Sequence, residues 1–558
     1  MIDRTKDRTR DRTRDRTIDE RRSAQWSSAY AALLFAVIFV FIFLLHLPLL
    51  QLPYFWDEAG YYVPAARDLL LTGSLIPHST VSNAHPPLVM AWLALWWKVV
   101  GYTPVVTRTA MLLLAAFSLL GVFRLAERVA NTKVAIASTL CTALYPVFFA
   151  QSSLAQVDLA AAGFTFWALA AHVEGEVVGT VVWFALAALA KETAILAPLA
   201  LAGWETVGWF ARKSRFRELW SDVGENKSKT SSAQRASLLI PALPLVVWYV
   251  YHYARTGYVF GNPEFFRYNV AATLSPTRFL LALAMRLWQI GGYLHLWMLT
   301  VPVLLAMILL PPLRDGTGER PRIGFPVQMI FYIIILAYVV AMALIGGAVL
   351  ARYMLTAVPL VIILSVATLW RRVSFWPAAI ACVALAFVAA WFLNPPYGFS
   401  PEDNLAYRDY VLLHEDAERF LEARYPMARV LTAWPASDEI SRTWLGYTTR
   451  PMQVVRIENF SLDEILSATD FRSNSPSKYE VALIFSTKYE PAPALWDRWR
   501  IWTEWKSRFF GFHHDLPPAA AAQILGGRVV FSEQRQGQWI AVIEMEKEEI
   551  QNAEVRMQ

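Results

Sequence analysis

Residues 26–50 read WSSAYAALLFAVIFVFIFLLHLPLL, and this apolar run decides the class of the fold. The run exceeds the minimum of about 17 apolar residues that a helix needs to cross a bilayer. It is too long for the apolar part of a signal peptide, and no cleavage site of small residues follows it. We therefore interpret it as an uncleaved first membrane span.

Similar runs recur along the chain. Of its 558 residues, 56% are hydrophobic and 17% are charged, and the mean hydropathy is +0.35. This composition predicts repeated membrane spans and not one soluble core. We expect a mainly α polytopic bundle of about eleven spans. Beyond the first, we place them at 105–127, 133–151, 155–172, 177–190, 193–210, 237–254, 293–312, 325–345, 353–370 and 374–394.

The positive charge of the chain indicates membrane orientation. The net charge is +6, but Lys and Arg are concentrated in short connections between apolar runs, so no nucleic-acid partner is predicted. With the N-terminus cytoplasmic, the basic connections at 124–133, 212–235, 314–322 and 371–372 all lie inside. Both cysteines lie in apolar runs, which excludes a disulfide framework and a cysteine metal site.

This topology divides the chain into three parts. Residues 1–25 repeat Asp-Arg-Thr and predict a disordered, charged cytoplasmic tail. Residues 26–396 form the transmembrane domain. It includes a first external loop at 51–104, where 86–101 is predicted to be an interfacial helix. Residues 397–558 are expected to form a soluble extracytoplasmic domain.

Shorter patterns in the C-terminal part predict an α/β fold. Strands are expected at 429–433, 453–457 and 481–485, with helical stretches near 409–424, 438–445 and 462–468 between and before them. A final pair of runs, 528–532 and 539–544, is typical of a hairpin. Alternating strands and helices favour a small layered α/β domain.

Trp56-Asp57-Glu58 follows the first span closely. Carboxylates at such a place stay hydrated, pair with a cation or carry out chemistry. Asp57 as the cap of a helix is one interpretation. Pro64 argues against a helix running from Glu58 and fits a helix start near Val63. We therefore favour Asp57 as a loop residue that acts as a general base. The role of Glu58 is left open.

Further polar groups at span ends fall on the same predicted face. Because they come from distant parts of the sequence, their convergence predicts a functional site. Each also has a structural interpretation: a helix cap for Asp158, a loop end for His85, an interhelical ion pair for Lys191, and a snorkelling side chain for Arg352. Lys191 and Glu192 are adjacent, so each needs a partner of its own. The set comprises Asp57, Glu58, Arg67, His85, Asp158, Lys191, Glu192 and Arg352.

The ordered motifs resemble a known family. They are Trp56-Asp57-Glu58 with Ala66-Arg67, His85-Pro86-Pro87-Leu88, Gln156-Val157-Asp158, Ala190-Lys191-Glu192, and Ala351-Arg352-Tyr353 with Pro359. This order is similar to that in GT-C type membrane glycosyltransferases, specifically the dolichyl-phosphate-mannose protein mannosyltransferase and aminoarabinose transferase superfamily. The resemblance covers roughly residues 27–372.

The resemblance implies a function and a set of site residues. It implies transfer of a sugar from a polyprenyl-phosphate donor to a lipid, glycan or protein acceptor, with inversion, at the non-cytoplasmic face of the inner (plasma) membrane. Asp57 matches the catalytic carboxylate, and Lys191 and Arg352 match contacts of the donor phosphate. The other substrate-binding or donor-binding candidates are Glu58, Arg67, His85, Asp158 and Tyr353.

Two departures leave the donor and acceptor open: Pro64 lies within the loop helix, and His85 stands where the aminoarabinose branch typically has lysine. No cofactor is implied with certainty. A divalent cation beside the first-loop carboxylates is left open, because oxygen ligands suit Mg²⁺ or Mn²⁺. The alternative class is a transporter or flippase. Such proteins tend to show repeats and polar sites at the bilayer midplane, and the spans show no internal repeat.

Overall fold

The structure is a computed structural model, and it describes residues 26–213, 232–261, 263, 266–267, 273–316, 318–345, 347–474, 479–491 and 495–546. Two predictions fall outside these residues. They are the disordered tail at 1–25 and the middle, 214–231, of the basic connection predicted at 212–235.

Helices make up most of the described chain. The first eleven are α1 (Ser28–His46), α2 (Val63–Thr72), α3 (Leu88–Val100), α4 (Pro104–Val129), α5 (Thr132–Leu144), α6 (Pro146–Gln151), α7 (Asp158–Glu174), α8 (Val177–Ala190), α9 (Leu196–Lys213), α10 (Ser232–Ser237) and α11 (Ala242–Thr256). The next ten are α12 (Pro276–Gly291), α13 (Trp297–Leu309), α14 (Phe325–Leu344), α15 (Val358–Arg372), α16 (Trp376–Phe392), α17 (Ala406–Arg424), α18 (Ala436–Ser441), α19 (Leu462–Asn474), α20 (Arg500–Phe510) and α21 (Pro518–Leu525).

Each predicted span overlaps helical structure, but 133–151 is divided between α5 and α6, and 193–210, 293–312 and 353–370 each begin in a short 3-10 turn. Within the described residues, four helical segments are long and apolar enough to cross a membrane: Ser28–Leu49, Pro104–Val129, Arg235–Thr256 and Phe325–Leu344. A fifth candidate is a pair, Pro276–His295 with Trp297–Leu309, bent by 102°. The other predicted spans are shorter or less apolar helices, so the count of eleven stays a prediction. The predicted helix at 86–101 is confirmed as α3.

The sequence prediction missed helix α12. Its apolar pattern is interrupted by Arg278 and Arg286, yet the structure buries both side chains. Arg278 Nη1 donates to Ala343 O over 3.4 Å, and Arg286 Nε donates to Met342 O over 3.2 Å. The last carbonyls of a helix lack partners within it, so the two arginines satisfy the C-terminal end of α14. A hydropathy pattern cannot show this compensation.

Small residues let α4 and α7 pack closely. A Cβ atom at Gly163 would lie 1.9 Å from Ser118 Oγ, so only glycine fits this contact. At the far end of the two helices, Arg124 Nε and Arg128 Nε donate to Glu174 Oε1 over 2.9 and 2.8 Å. The connection after α4 and the connection after α7, which the predicted topology places on the cytoplasmic side, therefore lie next to each other.

The C-terminal part contains a five-stranded sheet. Strands β1 (Arg314–Asp315) and β2 (Gly318–Glu319) form a separate ribbon, and β3 (Arg429–Ala433), β4 (Gln453–Ile457), β5 (Val481–Phe485), β6 (Gly527–Arg535) and β7 (Gln538–Met545) form the sheet in the order β4-β3-β5-β7-β6. β3 is parallel to β4 and β5, whereas β7 is antiparallel to β5 and β6. The three predicted strands and the hairpin are confirmed. The domain boundary at 397 stays a prediction.

The sheet-containing part contacts the first external loop through hydrogen bonds. Tyr447 Oη donates to Tyr54 O over 3.0 Å, and Tyr102 Oη donates to Trp444 O over 2.9 Å. Arg442 Nη2 donates to the carbonyl of residue 79 over 2.8 Å. The loop is thereby held between the helices and the sheet.

Candidate active site

The backbone around Asp57 is strained. Trp56 has φ 43°, a left-handed value that is uncommon for a large residue. A single π-helical turn spans Glu58–Tyr62 and runs without a break into α2, which begins at Val63 with Pro64 in its first turn. The prediction that Pro64 prevents a helix from running from Glu58 is therefore wrong, because Pro64 lies in the first turn of α2, where a missing N–H is tolerated. The Asp57 side chain makes no capping hydrogen bond to this turn. The structure therefore directs the Asp57 carboxylate away from the helix that it precedes.

Glu58 has a different environment from Asp57. Its side chain is fully buried, and Oε1 accepts hydrogen bonds from Arg108 Nη1 and, over 2.5 Å, from Ala155 N. Oε2 accepts from Phe55 N over 2.9 Å. Arg108 also donates to the carbonyl of Pro53 over 2.8 Å. The Glu58–Arg108 ion pair thus fixes the backbone on both sides of Trp56.

The sequence prediction missed Arg108. It lies in the apolar run at 105–127, and an ionisable residue within a span is a signal that could have identified it.

Arg352 joins three parts of the chain. Its Nη2 donates to Asp57 Oδ2 over 2.5 Å, and its Nη1 donates to Gln156 Oε1 over 2.6 Å and to Glu402 Oε2 over 2.5 Å. Its Nε lies 3.5 Å from Asp158 Oδ2. Bonds to several carboxylates from one planar guanidinium are geometrically specific. The predicted convergence of Asp57, Asp158 and Arg352 is therefore confirmed.

Lys191 and Glu192 each have a separate partner, as predicted. Lys191 Nζ donates to Asp158 Oδ1 over 2.5 Å and lies 4.1 Å from the centre of the Tyr353 ring. Glu192 Oε2 lies 2.8 Å from His85 Nδ1. The structural interpretation of Lys191 as an ion-pair partner is thus met in this structure, while its contact with a donor phosphate stays a prediction.

Arg67 is a candidate whose contact lies outside the group around Arg352 and Lys191. Its guanidinium carbon is 4.9 Å from the centre of the Trp444 ring, where a cation–π contact connects α2 to the C-terminal part.

A second acidic pair, Glu402 and Asp403, was missed by the sequence prediction. It lies on a short turn at Pro401–Asp403, soon after α16. Tyr293 Oη donates to Asp403 Oδ2 over 2.6 Å. Burial raises the pKa of Glu402 although Arg352 opposes the shift, and burial with the nearby Glu402 raises the pKa of Asp403 to about 7. Two carboxylates directly after an apolar run are the same signal that identified Asp57.

Asp57 is the accessible carboxylate of this group. Its side chain is 21% exposed, against 4% for both Asp158 and Glu402. Arg352 is 3% exposed and Lys191 7%. The site therefore combines one partly exposed carboxylate, that of Asp57, with two buried cationic side chains, those of Arg352 and Lys191. Such a group of side chains can accept a proton from a bound hydroxyl and stabilise an anion beside it.

A divalent cation at this place would compete with side chains already present. Asp57 and Asp158 each direct an oxygen at Arg352, and the second oxygen of Asp158 faces Lys191. Among the described residues, one group of three metal-ligating side chains lies elsewhere, at His414, Glu418 and Glu439.

Comparisons with known proteins give one family match. Residues 84–221 match the model of the dolichyl-phosphate-mannose-protein mannosyltransferase family. This segment contains His85, Asp158 and Lys191, whereas Asp57 and Arg352 lie outside it. No match is found among curated proteins.

Solved structures give distant similarities. ArnT from Cupriavidus metallidurans bound to undecaprenyl phosphate is 14% identical, with a TM-score of 0.49 over 92% of this chain and 98% of that one. The Archaeoglobus fulgidus oligosaccharyltransferase in complex with Zn and sulfate is 12% identical, with a TM-score of 0.42 over 81% of this chain and 67% of that one. Over residues 84–221, the family match confirms the resemblance to dolichyl-phosphate-mannose-protein mannosyltransferases.

Proposed function

We propose that the chain transfers a sugar from a polyprenyl-phosphate-linked donor to an acceptor hydroxyl at the extracytoplasmic face, with Asp57 as the general base. The observation that carries this proposal is the accessible Asp57 carboxylate, bonded to Arg352 at 2.5 Å and backed by the Lys191–Asp158 pair. The matched family is named for a polyprenyl-phosphate sugar donor, which supports the same donor class.

The reaction balances with these side chains. Asp57 takes the proton of the acceptor hydroxyl while the hydroxyl oxygen forms a bond to the anomeric carbon of the sugar. The bond from that carbon to the phosphate oxygen breaks, and the polyprenyl phosphate leaves with the electron pair. A phosphate is a good leaving group, so the main need is to stabilise its negative charge, which Lys191 and Arg352 would do. Attack from the face opposite the phosphate inverts the anomeric carbon.

The proposed topology has eleven spans, a cytoplasmic N-terminus and an extracytoplasmic C-terminal domain. It places Asp57, Asp158, Lys191, Arg352 and Glu402 on the side opposite the basic connections. Transfer would then take place on the side of the membrane where the C-terminal sheet lies. The acceptor is a lipid, glycan or protein hydroxyl on that side.

The central test is Asp57→Asn in the purified, reconstituted chain. Labelled polyprenyl-phosphate sugars are supplied as a panel with an acceptor extract, and sugar transfer and donor consumption are followed. We expect Asp57→Asn to lower the rate by at least about 100-fold, as removal of a general base does. Binding of the donor lipid is expected to survive, because the proposed phosphate contacts are Lys191 and Arg352.

Asp315→Asn is the matched control, since it makes the same change at an exposed carboxylate in a predicted cytoplasmic connection. It should leave transfer unchanged. A fully active Asp57→Asn variant would contradict the proposed role of Asp57. If the wild-type chain moves a labelled substrate across the membrane without consuming a donor, the transporter alternative is correct.

A further inference from the structure

A buried cluster lies in the C-terminal part, apart from the candidate active site. His414 and Glu418 are one turn apart on α17, and Glu439 lies opposite them on α18. His414 Nδ1 is 2.6 Å from Glu439 Oε2 and 3.6 Å from Glu418 Oε1. The side chains are 0–1% exposed. One potential ligand atom from each lies within 4.8 Å of the others.

The polar atoms of this cluster lack sufficient partners. Among the residues that the structure describes, both carboxylate oxygens of Glu418 and Oε1 of Glu439 are buried without a hydrogen-bond partner. Within the described part of the chain, the ion pairs of Glu418 and Glu439 lead only to His414. Two buried carboxylates with one imidazole are costly unless a further positive charge neutralises them.

We propose that His414, Glu418 and Glu439 form a structural binding site for one divalent cation of the Zn²⁺ class. One imidazole nitrogen and two carboxylates are ligands that zinc accepts in proteins. With bonds of about 2.1 Å and tetrahedral angles, two ligand atoms lie roughly 3.4 Å apart. The His414–Glu418 distance already has this size. The His414–Glu439 distance would open by roughly 0.8 Å to meet it.

The proposed site would support the loop that carries Asp57. The Tyr410 ring stacks on His414 with centroids 3.9 Å apart, and it also contacts the rings of Phe55, at 5.1 Å, and Trp56, at 5.6 Å. A cation that fixes α17 to α18 would therefore also fix the side chain that precedes Asp57. The site does not depend on the sugar-transfer reaction.

The test measures zinc in the full-length chain purified in detergent. The protein is equilibrated with Zn²⁺, dialysed, and analysed by inductively coupled plasma mass spectrometry. We expect about one zinc per wild-type chain, and a lower melting temperature after a strong chelator is added. Glu418→Gln and Glu439→Gln should each lose the bound zinc.

The control uses another His–Glu pair of the same chain. His514 Nδ1 lies 3.0 Å from Glu490 Oε2, but these side chains are 70% and 40% exposed. The double variant His514→Gln with Glu490→Gln should keep one zinc and its response to chelator. The melting temperature of Glu418→Gln should equal that of the chelated wild type, which separates loss of the cation from general misfolding.

Three outcomes would overturn the proposal. The first is a wild-type chain that retains no zinc, which decides the matter whether or not the variants fold. The second is zinc retained equally by Glu418→Gln, since the ion would then bind elsewhere. The third is a Glu418→Gln variant that melts above the untreated wild type, because the carboxyl pair would then be neutralised by a proton instead of a cation.

Discussion

Arg352 is bonded to side chains that are distant in sequence. Asp57 comes from the first external loop, Gln156 from the connection before α7, and Glu402 from the turn after α16. Asp158, the first residue of α7, lies 3.5 Å from the Arg352 Nε. A lysine at position 352 would keep the charge, but a single ammonium group cannot reach acceptors spread around a planar guanidinium. The shape of the side chain therefore matters as well as its charge.

We predict that Arg352→Lys lowers sugar transfer by about 100-fold, because one misplaced group in an organised site costs this much. The measurement is the transfer rate of the reconstituted chain with a polyprenyl-phosphate sugar. Arg320→Lys is the control, since Arg320 pairs with the exposed Asp315 in a predicted cytoplasmic connection. An Arg352→Lys variant with wild-type activity would show that position 352 contributes charge alone.

At the scale of elements, the turn Glu58–Tyr62 packs directly on the C-terminal part. Gly60 lies against Trp434, and a Cβ at residue 60 would come within 2.5 Å of Trp434 Cζ2. The Trp434 ring also meets Trp56 edge-on, with centroids 5.3 Å apart. The absence of a side chain at residue 60 thus sets the distance between the turn and the indole.

We predict that Gly60→Ala destabilises the protein by about 1–3 kcal/mol, as overpacking does, and also lowers activity. A lower melting temperature and a lower transfer rate would be measured together. Combining Gly60→Ala with Trp434→Phe should cost less than the sum of the two single changes, because the atoms that clash belong to the indole. Gly203→Ala is the control, since a Cβ there has no atom within 4 Å. Additive effects of Gly60→Ala and Trp434→Phe would contradict this contact.

Local sequence patterns predicted most helices and strands, but they could not predict contacts between residues distant in sequence. The bounds of β3, β4 and β5 were predicted correctly, because a short run of β-forming residues between turns is a local signal. Helix α12 was missed, because its two arginines are compensated by carbonyls of α14 more than fifty residues away. Glu402 follows an apolar run, as Asp57 does, but its contact with Arg352 crosses between two predicted domains and has no local signal.

At the scale of the whole molecule, two groups of polar contacts bear on the membrane topology. One surrounds Arg352, and the other joins Arg124 and Arg128 to Glu174. The hairpin of β1 and β2 also meets the end of α15, where Arg371 Nε donates to Arg320 O over 3.0 Å. These basic connections are the ones that the positive-inside pattern places in the cytoplasm.

We predict that these groups lie on opposite sides of the membrane, and cysteine labelling can test this. In a background without Cys141 and Cys382, a membrane-impermeant maleimide applied to intact cells (spheroplasts if an outer membrane is present) should label Met427→Cys. It should not label Arg314→Cys until the membrane is permeabilised. Both positions are highly exposed, at 86% for Met427 and 81% for the Arg314 side chain, so access to the reagent decides the result. The reverse labelling pattern would overturn the topology.

The hydrogen bonds from Tyr447, Tyr102 and Arg442 have a consequence for how fast the site can open. They tie the first external loop to the sheet-containing part, so the loop cannot swing aside alone. A motion that admits a large lipid must therefore move the loop and the sheet-containing part together. Such domain motions take microseconds to milliseconds, whereas loops alone fluctuate in nanoseconds. Backbone amides of 54–62 and 443–447 should then exchange hydrogen as one cooperative unit, and independent exchange rates would show that the loop opens without the sheet.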